Sequence, residues 1–467
     1  MRLQKKDLFI SLAILAFILI FQYFLVRALL LLHARYSELE LFFAVLLILA
    51  ELFVLLHGFG YALNVIRVFG GKKNEPEERV SIKEEPAVAI LVAARHEPRE
   101  VLEETFVTLN NLNYKNKIIY FLDDSSEEKY KKEAEELSRD YSLRLFRREQ
   151  RHGAKAGIIN DCLKTLEQKY LVIFDADQNP LPEFMRSLIP MMEADKKMAF
   201  IQTPQFYSNI EENRIARAAA FQQAIFYEYI CEGKSSNGSM FCCGTNVIFR
   251  TQALKESGGL DESSVTEDFA TSLKLHSLGW KSLYFNRVYA FGMGPESLSS
   301  YFRQQYRWAA GTIAVFQRLL LRLFTRPFSL KFTLWWEYLL SSSYYLVGLA
   351  FFFLMFCPVI YLFFNIPSFF ALPQIYLASF LPYIILTTGI FYLVLKGRNY
   401  RLKDLVTGQF LAAVTFSVYI RAALSVLFGV KAVFGITEKG KAKSLPYLRL
   451  WPQLSFMALN LPPLSGE

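Results

Sequence analysis

The sequence has few cysteines and no glycine-rich nucleotide loop, and both features narrow the kinds of site that it can contain. Its five cysteines show neither metal-ligand spacing nor the spacing of a disulfide framework: Cys162, Cys231, Cys242, Cys243 and Cys357. Neither Gly-x-Gly-x-x-Gly nor the phosphate-binding Gly-x-x-x-x-Gly-Lys-Ser/Thr occurs. A bound nucleotide is therefore expected to be held by carboxylates and a metal. A nucleotide-dependent transporter, which would need a phosphate loop, is disfavoured.

Long apolar segments account for much of the composition. The chain has 467 residues, of which 53% are hydrophobic. Four segments are long enough to cross a bilayer: Leu8–Val26, Leu41–Val65, Leu334–Phe364 and Ile375–Leu395. The first could also be a signal peptide, but no small-residue cleavage site follows it and a second span comes at once, so an uncleaved anchor is favoured.

Lys and Arg flanking the spans predict their orientation. Basic residues precede the first span and follow the second, and the loop 364–374 has none, so residues 67–330 and the region after Lys396 are predicted to be cytoplasmic. Leu405–Val430 contains Arg421 and has basic residues on both sides, which favours a helix in the cytoplasmic interface. The net charge of +9 lies mainly beside the spans, so it is assigned to topology and membrane lipid, with no nucleic acid partner.

Between the second and third spans, short apolar runs alternate with helical patterns. The predicted strands are Ala87–Val92, Lys117–Leu122, Leu143–Phe146, Tyr170–Asp175, Met198–Thr203 and the strand region Met240–Arg250, which has a glycine kink. Glu211–Ile230 is predicted to be one amphipathic helix. This alternation predicts a doubly wound α/β sheet.

Polar residues cluster where these strands end, at the edge where α/β sheets bind ligands: Arg95, Glu97, Asp123, Asp124, Asp175 and Asp177, with Lys155 just before a helix. Asp175 and Asp177 are hard oxygen ligands suited to Mg²⁺ or Mn²⁺ on a diphosphate. An Asp-x-Asp alone is more often a polar turn in which one Asp caps the helix.

Two later motifs also allow two interpretations. Thr266-Glu267-Asp268 opens a helix, either as a capped helix start or as the position of a catalytic carboxylate. Gln304-x-x-Arg307-Trp308 lies on a basic amphipathic helix. Its Arg and Trp either contact lipid headgroups or neutralise a diphosphate and stack on a sugar.

Taken in order, these motifs resemble those of the membrane-embedded processive enzymes of inverting glycosyltransferase family 2, and among them most closely the bacterial cellulose synthases. The matching pieces are Leu122-Asp123-Asp124, His152-x-Ala154-Lys155-Ala156-Gly157, Asp175-Ala176-Asp177, Gln202-Thr203-Pro204, Phe241-Cys242, Thr266-Glu267-Asp268, Gln304-x-x-Arg307-Trp308 and Phe434-Gly435-Ile436-Thr437-Glu438-Lys439-Gly440. The last piece is similar to the gating loop of that family. The resemblance covers about residues 85–450.

The resemblance implies a GT-A-type α/β glycosyltransferase domain inserted between pairs of transmembrane helices, with amphipathic interfacial helices. The implied segments are two spans (1–70), a linker (71–85), the cytoplasmic GT-A domain (86–300), the helix with Gln-x-x-Arg-Trp (301–332), two spans (333–397), an interfacial helix (398–432), the gating loop (433–443) and the start of a further, truncated span (444–467).

The implied activity is a hexosyltransferase in the cell (inner or plasma) membrane that polymerises glucose from UDP-glucose into a cellulose-like β-1,4-glucan and passes it across the membrane. Asp268, with Glu267 beside it, would be the catalytic base, and Asp175 and Asp177 would hold Mg²⁺ or Mn²⁺. The implied substrate-binding residues are Asp123, Asp124, Lys155, Cys242, Thr266, Gln304, Arg307, Trp308, Phe434, Thr437 and Lys439. The expected partners are UDP-glucose, the growing polysaccharide, membrane lipid and accessory secretion subunits.

The sequence also departs from the family pattern. Gly153 is inserted after His152, and Cys243, Thr245 and Asn246 replace smaller residues where the acceptor is expected. These departures leave the acceptor and linkage open, so other β-glycan synthases (mixed-linkage, curdlan-like or hyaluronan/chitin-like) are alternatives. A non-processive membrane glycosyltransferase and an inactive scaffold are two further alternatives.

Overall fold

The computed structural model describes residues 2–71, 82, 84–430 and 450–460. The predicted gating loop (433–443), with Phe434, Thr437 and Lys439, lies outside these residues, as does most of the predicted linker. The roles assigned to that loop therefore stay predictions.

Long apolar helices come before and after a mixed α/β domain in the sequence, and the helices of the two groups pack against each other. The chain opens with α1 (Arg2–His33) and α2 (Glu38–Gly70), and later forms α12 (Phe332–Ser343), a 3₁₀ turn (Tyr344–Leu346), α13 (Val347–Phe364) and α14 (Pro373–Lys396). A capping box starts α2, in which the Ser37 and Glu40 side chains accept from each other's backbone N–H groups. Within the described residues, four helices are long and apolar enough to cross a membrane, or five if a bent pair is one span. They contain the four predicted spans.

The domain between them is built on a seven-stranded sheet. Its strands are β1 (Val88–Ala94), β2 (Lys117–Asp123), β3 (Arg144–Phe146), β4 (Tyr170–Asp175), β6 (Met198–Gln202), β8 (Val247–Arg250) and β9 (Lys281–Tyr284), in the order β3-β2-β1-β4-β8-β6-β9. A second sheet contains β5 (Asn179–Pro180), β7 (Phe206–Tyr207) and β10 (Ala290–Gly292), in the order β5-β10-β7.

Helices cover the sheet and connect its strands. They are α3 (Arg99–Asn110), α4 (Glu128–Asp140), α5 (Ala154–Thr165), α6 (Phe184–Ala194), α7 (Arg214–Gln222), a π-helix (Phe226–Cys231), α8 (Glu232–Ser235), α9 (Thr251–Glu256), α10 (Glu267–Ser277) and α11 (Leu298–Thr325). After α14 come α15 (Leu402–Val414), α16 (Phe416–Leu427) and α17 (Trp451–Asn460), and a 3₁₀ turn (Pro327–Ser329) precedes α12.

Burial on both faces explains why the central strands are continuously apolar. In β1, Ile90 packs with Phe106 of α3 on one face, whereas Leu91 packs with Ile158 of α5 on the other. Alternate side chains of one strand therefore enter two separate cores, and neither face of the strand meets water.

The predicted doubly wound α/β sheet is confirmed, since helices pack on both of its faces, and the structure adds that the sheet is mixed. β8 runs antiparallel to both β4 and β6, whereas β1 is parallel to β2 and β4. The predicted strand Met240–Arg250 is a strand only from Val247 onward. Gly244 and Asn246 have φ angles of 83° and 54°, which break the extended conformation before it.

Two predicted helices are divided in the structure. The predicted helix Glu211–Ile230 becomes α7 followed by the separate π-helix. The predicted interfacial helix (398–432) becomes α15 and α16, which are bent by 40° at Thr415. α15 packs on α7 and α16 packs on α11, so the two halves follow different surfaces. The position of this pair in the membrane interface stays a prediction.

Candidate active site

A cleft of about 250 Å³ opens where the carboxyl ends of β1 and β4 meet the start of α10 and the first half of α11. It is rich in charged groups of both signs. Its lining includes most of the predicted site residues: Asp124, Lys155, Asp175, Asp177, Thr266, Glu267, Asp268, Gln304, Arg307 and Trp308. The fold thus brings together residues that are almost 200 positions apart in the sequence.

Asp175 and Asp177 lie at the end of β4 with their positions fixed by neighbouring strands and loops. The Asp175 backbone N–H donates to Thr245 Oγ1 over 2.8 Å, and its carboxylate accepts from the Lys155 ammonium. Asp177 Oδ2 accepts from the backbone N–H of Met293 over 3.2 Å. The intervening Ala176 side chain is buried, so both carboxylates face the same cleft.

These two carboxylates fit a divalent ion that is shared with a substrate. No group of three or more His, Cys, Asp or Glu suited to a metal is found in the described part of the chain. Mg²⁺ is commonly held by one or two carboxylates together with substrate phosphates and water. The oxygen-only pair therefore suits Mg²⁺ or Mn²⁺ on a phosphorylated ligand, and not a site that the protein closes alone.

Lys155 places a positive charge beside this pair. Its ammonium also donates to the Gly244 carbonyl over 2.8 Å. Burial opposes the charge, but the carboxylates of Asp175, Glu267 and Asp268 outweigh it and raise the pKa of Lys155. The inserted Gly153 precedes α5 with a left-handed φ of 57°, so the insertion forms the turn that starts the lysine's helix.

The Asp268 carboxylate lies in the first turn of α10. Its Oδ1 accepts from the Phe269 backbone N–H over 2.8 Å. Burial raises the pKa of Asp268 to about 7, and the neighbouring Glu267 carboxylate adds to this rise. Burial likewise raises the pKa of Glu267. A carboxylate with such a pKa can take and release a proton near neutral pH.

Thr266 occupies the N-cap position of α10, but its side chain makes no capping hydrogen bond. The capping interpretation of this threonine was therefore wrong. The Thr266 side chain instead packs closely against Gly311 of α11. Only glycine fits at position 311, because a Cβ added there would lie 2.7 Å from Thr266 Cγ2. This close contact fixes the helix that carries Gln304, Arg307 and Trp308 against the start of α10.

The spacing of Gln304, Arg307 and Trp308 puts all three on one face of α11, and that face lines the cleft. The adjacent Gln305 points elsewhere and accepts a 2.8 Å hydrogen bond from Tyr419 OH. The motif therefore separates into a cleft-facing set and a residue that joins α11 to α16.

The structure divides the roles of the two adjacent aspartates that follow β2. Asp124 lines the cleft, and its carboxylate accepts two 2.9 Å hydrogen bonds from Arg148 and one from Arg151. Asp123 is not part of the lining. It is 4% exposed and accepts from Arg147 over 2.7 Å. Because successive residues of an extended chain face opposite ways, only Asp124 of the pair lines the cleft, and contact of Asp123 with substrate stays a prediction.

The adjacent cysteines are divided in the same way. Cys243 lines the cleft, whereas Cys242 is 2% exposed and lies in the core, where its backbone N–H donates to Ser272 Oγ. Gln202 holds this loop, since its side chain accepts from the Cys243 N–H and donates to the Thr245 carbonyl. Contact of Cys242 with substrate stays a prediction.

Several lining residues were not among the predicted site residues. Arg95 and Glu97 had been noted only as polar residues at a strand end, a signal that could have placed them in the site. The others come from loops and short strands with no recognisable motif: Arg151, Gln205, Tyr207, Met293, Gly294, Pro295 and Glu296.

Comparison with known proteins gives consistent results. Residues 170–395 match the family model described as glycosyl transferase family group 2. The chain is 29% identical to a cellulose synthase catalytic subunit (UDP-forming) of Pseudomonas fluorescens over 359 residues. This match covers 74% of this chain and 46% of that protein. The chain is 28% identical over 364 residues to cellulose synthase 1 of Komagataeibacter xylinus, covering 76% and 23% of the two chains. The matches thus span less than half of each relative.

Among solved structures, one similar fold is a mannosyltransferase from Pyrobaculum calidifontis in complex with GDP-Man and Mn²⁺. The two share 14% identity at a TM-score of 0.50, over 82% of this chain and 100% of that one. At this identity the likeness concerns the fold alone. The central domain is accordingly a GT-A-type domain with a mixed sheet, flanked by apolar helices that are typical of a membrane protein.

Proposed function

We propose that this protein, whose residues 170–395 match the glycosyl transferase family group 2 model, is an inverting, processive hexosyltransferase that builds a cellulose-like β-1,4-glucan from UDP-glucose. The observation that carries the proposal is a half-buried carboxylate, Asp268, with a pKa raised toward neutrality, in the same cleft as the Asp175–Asp177 pair. A base and a diphosphate site facing one cleft are what a single displacement requires.

On the donor side, Asp175 and Asp177 would hold Mg²⁺ or Mn²⁺ on the diphosphate. When bound, such an ion neutralises charge on the departing UDP. Lys155 and Arg307 add fixed positive charge to the same part of the cleft and stabilise the leaving diphosphate. Asp124, locked by Arg148 and Arg151, lies toward the nucleoside end.

On the acceptor side, Asp268 takes the proton of the terminal sugar hydroxyl. The hydroxyl oxygen forms a bond to the anomeric carbon as the bond from that carbon to the UDP oxygen breaks, so the leaving group keeps the electron pair and the configuration inverts. Trp308 offers an aromatic face for the acceptor sugar, and Gln304 offers polar contacts beside it. Glu267, also in the cleft, helps keep the Asp268 pKa high.

The packing around α11, the helix that carries Arg307 and Trp308, supports processive synthesis and export over transfer of a single sugar. The break between α12 and α13 places Tyr345 against Tyr306 and Ala309 of α11. Tyr345 in turn packs against Tyr419 of α16, with ring centroids 5.1 Å apart. A chain leaving the active site here would meet aromatic rings among the apolar helices, with the catalytic domain on the cytoplasmic side of the inner or plasma membrane. Membrane lipid would surround these helices, and accessory secretion subunits would receive the product.

The proposal is tested by supplying membranes with a panel of radiolabelled nucleotide sugars. UDP-glucose should be consumed with release of UDP, and an endo-β-1,4-glucanase should digest the labelled product. Digestion only by a β-1,3-glucanase would indicate another β-glycan synthase. If another nucleotide sugar is consumed and UDP-glucose is not, the proposed donor is wrong.

A further inference from the structure

Arg95 occupies a central place in the cleft that no step of the proposed mechanism uses. It follows β1, which lies between β2 and β4 in the sheet. Ala93 is in register with Asp175, and the Asp124 N–H donates to the Ala94 carbonyl over 3.0 Å. Arg95 therefore lies at the sheet edge between the proposed diphosphate site and Asp124.

The topology indicates which part of a nucleotide would reach this arginine. On the far side of β4, the loop before β8 carries Cys243 and Gly244 and packs against Asp268, so that direction leads to the acceptor. A donor whose diphosphate lies at Asp175 can therefore extend its nucleoside only the other way, across the end of β1. This step rests on the proposed function.

The chemistry of Arg95 suits recognition of a base. Arg95 lines the cleft, and its buried Nε has no hydrogen-bond partner among the residues that the structure describes. A buried donor without an acceptor is costly, so a ligand that supplies an acceptor at this point is favoured. A guanidinium only donates, and it therefore matches a ring carbonyl and not an exocyclic amino group.

We infer that Arg95 donates hydrogen bonds to a ring carbonyl of the donor's nucleobase and is a specificity-determining residue. It makes the site select bases with a carbonyl at the facing edge, such as uracil or guanine, over cytosine and adenine, which carry an amino group there. Lys155 and Arg307 lie in the same cleft and can neutralise the charge of the phosphates, so Arg95 is not needed for that purpose.

The test uses the full chain in detergent and measures the affinities of UDP, CDP, GDP and ADP with Mn²⁺ by calorimetry. UDP and CDP differ only in the base edge that Arg95 would read. The wild type should bind UDP about tenfold or more tighter than CDP, the effect of one charge-assisted hydrogen bond. Arg95→Met should lose most of that ratio through weaker UDP binding, and Arg95→Lys, which keeps the charge, should retain part of it.

Arg214→Met is the matched control, because Arg214 is exposed at the start of α7 and is not part of the cleft lining. It should leave all four affinities unchanged. An unchanged UDP/CDP ratio in Arg95→Met, or an equal loss for both nucleotides, would overturn the inference, the latter showing a phosphate contact. If the wild type binds GDP more tightly than ADP but does not bind UDP, the proposed donor is contradicted while the role of Arg95 is supported. A wild type that binds none of the four contradicts both.

Discussion

Replacement of Asp268 by Asn removes the proposed base while keeping the size of the side chain. Loss of a general base lowers a rate by about 10²–10⁴-fold, which corresponds to about 2.7–5.5 kcal/mol of transition-state stabilisation. The residual rate would come from Lys155, Arg307 and the aspartate pair, which stabilise the leaving group without Asp268. UDP affinity should stay close to that of the wild type, because Asp268 is assigned to the acceptor and not to the donor.

The same substitution should not destabilise the fold. Since burial raises the pKa of Asp268, its surroundings disfavour the charged carboxylate, and a neutral amide of equal size removes that penalty. The Tm of Asp268→Asn should therefore equal or exceed that of the wild type. A low Tm would mean that lost activity reports misfolding.

The assay combines incorporation of labelled glucose, UDP binding by calorimetry and thermal unfolding on one preparation. Asp140→Asn, an exposed carboxylate at the end of α4, is the matched control and should behave as the wild type. Incorporation by Asp268→Asn at near the wild-type rate would refute the assignment of the base. Loss of UDP binding in parallel with activity would reassign the residue to the donor.

Three further predictions concern the same molecule. Activity should fall as the pH drops below about 7, because the base works only when deprotonated and its folded pKa is raised; a pH–rate profile of kcat/KM measures this, and a flat profile from pH 5 to 8 would contradict it. Gly244→Ala should lower kcat more than UDP affinity, since the new Cβ needs a φ of 83° and would lie 3.1 Å from Asp268 Oδ2; equal loss of both would place the effect on the donor site. Glu51→Gln should lower the unfolding free energy by about 3–5 kcal/mol, because it breaks the buried 2.7 Å ion pair with Arg27. The double variant Arg27→Met/Glu51→Leu should lose less stability, since it leaves no unpaired charge. Thermal unfolding in detergent compares the two, and a double variant less stable than Glu51→Gln would contradict this expectation.

Much of the fold follows from patterns that a single sequence carries. β1, β2 and β4 are continuous apolar runs because both of their faces are buried. Such runs can be identified as strands without knowing which strands lie beside them. The antiparallel direction of β8 could not be predicted from such a pattern, because it depends on how the chain between β6 and β8 folds. The failure of the predicted strand at Met240 also has a local cause, since the Gln202 side chain and two positive φ angles hold that segment as a loop.

The site shows the same limit at the level of single residues. A motif gives the pair Asp123-Asp124 or Cys242-Cys243, but only the packing decides which member faces the cleft. Asp124 does so because its neighbour points into the sheet's other side, toward Arg147. Residues such as Tyr207 and Glu296 carry no pattern of their own, and their place in the cleft follows from tertiary contacts alone.

Repeated elongation of one chain in this cleft is tested most directly by the size of the product. Membranes are given labelled UDP-glucose in large excess over protein, and the product is sized at early times. Processive synthesis should give long β-1,4-glucan chains while most acceptors remain unextended, and Asp268→Asn should give no such chains. A product that carries a single added sugar on a lipid or protein, at any time point, would contradict it.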